Sequence, residues 1–105
     1  MLSINQVVAA CNEAVFVRFG RKCSARIKGE YDPQALEISI YPKNNTSRSD
    51  LDITLLHEFI HARDDVKSAR SVDSAEKDVE KEAKQTYRLH PYVLRFIKEL
   101  YNIKY

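Results

Sequence analysis

The stretch LLHEFIHARDD, residues 55–65, sets two histidines four residues apart with a glutamate directly after the first, inside an otherwise apolar run. Side chains at i and i+4 of a helix point the same way, so His57 and His61 can offer two imidazoles to one metal ion from a single rigid turn. Glu58, one step round the helix, reaches a water on that ion without having to be a ligand. As a general base it would take that water's proton, while zinc lowers the water's pKa toward about 7 and polarises a substrate carbonyl. The rival account is a histidine pair with no metal. The chain has three histidines and spends two of them in this one turn, which favours the ion.

The helix that carries the motif is expected from about Leu51 to Arg63, with Ser49 or Asp50 as its cap. At about 100° per residue, Leu51, Leu55, Leu56, Phe59, Ile60 and Ala62 cover a broad arc that must be buried, and the two histidines lie opposite it. Two imidazoles leave a catalytic zinc short of its usual three protein ligands. The next helix, read from DSAEKDVEKEAKQTYR at 73–88 with Asp73 and Glu76 at capping-box spacing, is where the third is sought. Its apolar stripe runs through Val72, Val79, Ala83 and Tyr87, with Glu76 and Glu80 inside the stripe and Glu82 outside it. A carboxylate on an inward face is costly unless paired or metal-bound, which leaves both Glu76 and Glu80 as candidates.

Before the motif, Ser3 can cap a first helix whose apolar positions Ile4, Val7, Val8, Cys11, Val15 and Phe19 recur every three or four residues, with Gly20 as its stop. The period then changes. Gly29, Asp32 and Pro33 separate two short runs, and the second places Leu36, Ile38 and Ile40 on one face and Glu37, Ser39 and Tyr41 on the other. That pattern predicts a hairpin or small antiparallel sheet with one solvated face. Pro42 and the polar KNNTSRSD form a loop. After the third helix, Pro91 fits the first turn of a last one striped by Val93, Phe96, Ile97, Leu100 and Ile103.

The 105 residues suit one domain, read here as residues 1–105, of α+β class with about four helices and a small antiparallel or mixed sheet. With 17 basic and 15 acidic residues mixed along the chain, the net charge of +2 gives no concentrated basic tract and argues against nucleic acid. No run reaches the roughly 18 apolar residues of a membrane span. The first twenty residues lack a basic leader and carry Asn5, Gln6, Asn12 and Glu13, so a signal peptide is not expected and a cytoplasmic location is. Cys11 and Cys23 lie outside any CxxC pattern and read as free thiols.

TLLHEFIHARDD, followed after a short connection by EKDVEKEA, resembles the gluzincin metallopeptidases, in which a glutamate on the helix after the HExxH helix completes the zinc site. The small size is similar to that of the archaeal minigluzincins. The resemblance implies a zincin-like minimal core, one zinc ion held by His57, His61 and Glu80, Glu58 as general base and acid, and Glu76 as the alternative ligand or a neighbour. It also implies a zinc-dependent endopeptidase acting on unstructured peptides or unfolded proteins, with LEISIYP as the rim strand along which substrate lies. Latency through the termini or self-association is implied too; the tail FIKELYNIKY would suit it, although a last helix packing on its own core is the preferred reading of that segment. Arg63 departs from the longer pattern, which has an apolar residue there. Asp64 or Asp65 would orient the imidazoles, and Tyr87, Arg88, His90 and Tyr92 are the candidate donors to a developing oxyanion. The alternative function is a metal-binding regulatory or partner-binding module without turnover.

Overall fold

Ser3 starts the first helix as its sequence predicts. In this computed structural model, which describes residues 1–20, 27–67 and 75–105, the Ser3 hydroxyl accepts from the Gln6 amide and the Gln6 side chain accepts from the Ser3 amide, a complete capping box around α1 (Ile4–Asn12). The helix does not continue to Phe19. It ends at Asn12, Ala14 takes a left-handed φ of 64°, and β1 (Phe16–Phe19) follows. Val15, Phe16 and Val17 are β-branched or aromatic and lose little by extending, and the strand finds a non-local partner. Gly20 ends no helix; its amide donates to the Ile40 carbonyl.

That partner belongs to the hairpin of β2 (Gly29–Asp32) and β3 (Glu37–Ile40). Asp32 builds the turn by accepting from the amides of Gln34 and Ala35. β2 pairs antiparallel with β3 and β1 pairs parallel with it, giving a mixed sheet of order β1-β3-β2. The α+β class with a small mixed sheet is thus the observed one. Two details differ from expectation. β3 is the central strand, hydrogen-bonded on both sides, so it cannot be the rim that receives a peptide; β2 is the edge strand on the motif side. The second face of β3 is not solvated either: Ser39 and Tyr41 are buried, with the Tyr41 ring against Gly20 and its hydroxyl on Glu30.

After a 3₁₀ turn at Pro42–Asn44, Ser47 rather than Ser49 or Asp50 caps α2 (Arg48–Lys67). Its hydroxyl accepts from the Asp50 amide, while the Asp50 carboxylate reaches back to Thr46. Asp50 is therefore the third helical residue, closing the first turn from inside. The polar loop gives up three more residues to the helix than its composition suggests. α3 (Glu76–Leu89) and α4 (Pro91–Leu100) complete the chain. The Asp73 half of the expected capping box, Val72 and Cys23 lie outside the described residues.

α2 is the centre of the molecule, packed by α1, α3 and the sheet. Leu55, Leu56, Phe59, Ile60 and Ala62 are all fully buried, meeting Ile38 and Ile40 of the sheet, Val7 and Ala10 of α1, and Val93 and Ile97 of α4 in one core. Each such large side chain contributes about 1.5–3 kcal/mol of burial. On α4 the stripe shifts slightly: Leu94 is buried where Leu100 was expected, and Leu100 is exposed.

Polar side chains fix α2 against its neighbours. Lys28 pairs with Asp50 at 2.9 Å near one end, and the Tyr31 hydroxyl donates to the buried Asp65 at 2.6 Å near the other. Between them β2 lies close to the helix, since a Cβ on Gly29 would stand 2.9 Å from the Thr54 methyl. Arg63 reaches α3, where both its terminal nitrogens bond the Glu82 carboxylate. The tail packs on its own core: Ile103 is buried, and Tyr105 bonds Asp52 beneath the Lys98 ammonium. Among the described residues, no helix is long and apolar enough to cross a membrane.

Candidate metal centre

The buried arc of α2 turns its opposite side, with His57 and His61, toward α3. The two imidazoles are mostly covered, at 14% and 18% side-chain exposure, and their Nε2 atoms lie 3.2 Å apart. Two nitrogens each about 2.0–2.1 Å from one tetrahedral ion would be about 3.3 Å apart, so the observed pair already has the spacing of a shared ion. Glu76, from the first turn of α3, places one carboxylate oxygen 2.9 Å from the His57 Nε2 and the other 2.8 Å from the His61 Nε2. These three residues form the group among the described residues that could hold a metal.

Glu80, the ligand preferred on resemblance, occupies a different position. Its Oε1 lies 3.0 Å from the His57 Nδ1, on the far side of the ring from Glu76. A carboxylate there accepts a hydrogen bond from Nδ1–H and so leaves Nε2 with its lone pair free to ligate, the carboxylate–histidine–metal arrangement of many zinc sites. The two glutamates are one helical turn apart, so a single face of α3 supplies a group for each nitrogen of the His57 ring.

Electrostatics agree with a ligand role for the second histidine. Burial pushes the His61 imidazole below its ordinary pKa, against the opposing pull of Glu76, and so favours the neutral ring that a metal requires. Glu58 is 6% exposed. Burial first, with the nearby Glu76 and Glu80 charges adding and His57 opposing, pushes its carboxyl up to about 7. A carboxyl poised there can both take and return a proton near neutrality.

Above these groups lies a cleft of about 430 Å³, lined by Lys28 and Gly29 of the β2 wall, Thr54, His57 and Glu58 of α2, and Glu76 of α3. None of Tyr87, Arg88, His90 and Tyr92 is among its lining residues: Tyr87 bonds Ser49, and the rings of His90 and Tyr92 pack on each other. The cationic groups at the cleft are instead Lys28 and Lys77. Asp64 and Asp65, proposed to orient the imidazoles, pair with Arg63 and Tyr31. The Glu-x-x-x-Glu spacing marks both carboxylates for one face of α3, but it does not say which of them meets Nε2. The chain matches no family model, no curated protein and no solved structure.

Proposed function

We propose that the protein is a metal-dependent endopeptidase of the gluzincin kind, with zinc held by His57, His61 and Glu76. The observation that carries this reading is the convergence of two Nε2 atoms and one carboxylate, with the buried acid Glu58 beside them in an open cleft. The donor set, two imidazoles and one carboxylate, is that of catalytic zinc sites which keep a fourth position for water. When bound, such an ion makes a water acidic and draws electrons from a peptide carbonyl.

The chain's own residues do the rest. Glu80 holds the His57 ring in the tautomer that frees Nε2. Glu58 takes the proton of the attacking water and hands it to the departing amine, a role suited to a carboxyl raised toward neutrality. β2, an edge strand bordering the cleft through Lys28 and Gly29, gives an extended peptide a place to lie in strand fashion. An extended chain is what this open cleft accepts, so the substrate class is unstructured peptide or unfolded protein.

The test is cleavage of an unfolded protein by zinc-loaded wild type beside Glu58→Gln, with zinc content measured on both. The expected result is a loss of turnover of about 10²–10⁴-fold in the variant at unchanged zinc content. Zinc binding by both with cleavage by neither would replace the peptidase reading with that of a metal-holding module without turnover.

A further inference from the structure

The outer face of α3 is a row of bases that the zinc site does not use. Lys77, Lys81, Lys84 and Arg88 follow one another at four, three and four residues, which at about 100° per residue keeps all four within an arc of about 60°. All four are exposed. Among the described residues Lys84 pairs loosely with Glu80, at 3.5 Å, while Lys77, Lys81 and Arg88 form no ion pair. The row lines a shallow groove of about 420 Å³, and Lys77 and Glu80 line both this groove and the cleft.

We infer that this face of α3 is a docking track for an acidic stretch of polypeptide, continuous with the cleft and selecting substrates whose segment beyond the scissile bond carries alternating carboxylates. Successive bases on the helix stand about 4.5–6 Å apart along an axis of about 16 Å. In an extended peptide, side chains on one face repeat every 6.6–6.8 Å, so that three of them span about 13–14 Å, within the length of the row. The track therefore matches three acidic residues at every second position. Single-stranded nucleic acid has a similar charge spacing, but its binding tracks add aromatic platforms for the bases, and the five exposed or half-exposed residues of this groove beyond Glu80 are Lys77, Lys81, Lys84, Gln85 and Arg88.

Calling the acidic peptide a substrate rests on the peptidase reading; the track itself does not. The test therefore measures binding apart from cleavage. Fluorescence anisotropy with a labelled twelve-residue peptide bearing Glu at alternate positions, its Gln counterpart, and a dT12 oligonucleotide is read in chelator, where no hydrolysis occurs. Cleavage of the two peptides is then compared with zinc present. The acidic peptide is expected to bind about tenfold tighter than the Gln peptide at 50 mM salt, to lose that margin at 500 mM, and to lose it in Lys81→Glu/Arg88→Glu, both exposed positions outside the proposed zinc ligands. Equal affinity for the two peptides, a margin that survives the double variant, or tighter binding of dT12 would each overturn the track. Binding as expected with cleavage of neither peptide would uphold it and count against the peptidase alone.

Discussion

α2 and α3 both send side chains to the same two imidazoles, yet they hold them by different physics. The α2 groups rise from a helix whose opposite face, Leu55, Leu56, Phe59, Ile60 and Ala62, is fully buried; His57, Glu58 and His61 are nearly covered before any metal arrives. The α3 carboxylates sit on the rim, Glu76 at 75% and Glu80 at 44% side-chain exposure, and reach inward on flexible stems. The first half of the site is therefore set by packing and the second by charge. An ion would gain pre-positioned nitrogens from α2, and from α3 a carboxylate whose ordering must be offset by the bond it makes.

The contrast can be broken most severely from the packed side. Phe59→Ala removes a fully buried ring from the face of α2 opposite the two histidines and should cost about 3–5 kcal/mol in urea unfolding, with zinc present or absent. If the loss were under about 1 kcal/mol, the helix would not be held by its core in the way described. On the charged side the effect should depend on metal. At zinc near one hundred times the dissociation constant, wild type gains about 2.7 kcal/mol. Glu76→Gln should keep metal-free stability and lose most of that gain, which thermal melts with zinc and with chelator will read. Glu80→Gln should weaken zinc by a smaller factor, about 10–100-fold, because it orients a ligand without being one. The reverse order of the two variants would make Glu80 the ligand and Glu76 the neighbour.

The smallest effect tests the charge that starts α2. Burial raises the Asp50 carboxyl, but the Thr46 amide and the Lys28 ammonium outweigh it and bring its pKa below the ordinary value of 3.8. A depressed acid adds stability that is complete above its unfolded pKa and is lost as pH falls through the folded one. Asp50→Asn should thus cost about 0.5 kcal/mol at pH 7 and nothing once the pH is well below 3.8. A cost that persisted in acid would assign the residue a role in shape, not charge.

The packed half of the site was legible in the sequence because helical period alone places His57, Glu58 and His61, and the apolar arc behind them needs no partner to be recognised. The hairpin and the last helix were legible for the same reason, their turn residues and stripes being local. What could not be read was whatever depends on a distant partner. Val15 and Phe19 continue the spacing of α1, and only the pairing of Phe16–Phe19 with β3, about twenty residues on, makes that segment a strand. Glu76 and Glu80 are equivalent by period, sharing one face of α3. Which of them meets Nε2 depends on how far α3 slides along α2, a quantity no single-helix pattern contains. Arg63 looked like a departure from an apolar position, and its clamp on Glu82 explains it only once α3 is beside it.

The two ties of β2 to α2, Lys28 to Asp50 and Tyr31 to Asp65, have a mechanical meaning. They fasten the strand at points on either side of the histidine turn, with Gly29 closing the gap between, so one jaw of the cleft is a single stiff piece. The opposing jaw, α3, is pinned near its middle by Arg63 and carries its carboxylates before the pin and its remaining turns beyond it. With Val79, Ala83 and Thr86 of α3 also buried, both walls of the cleft are backed by packed elements, and its adjustable parts are the exposed stems of Glu76 and Glu80.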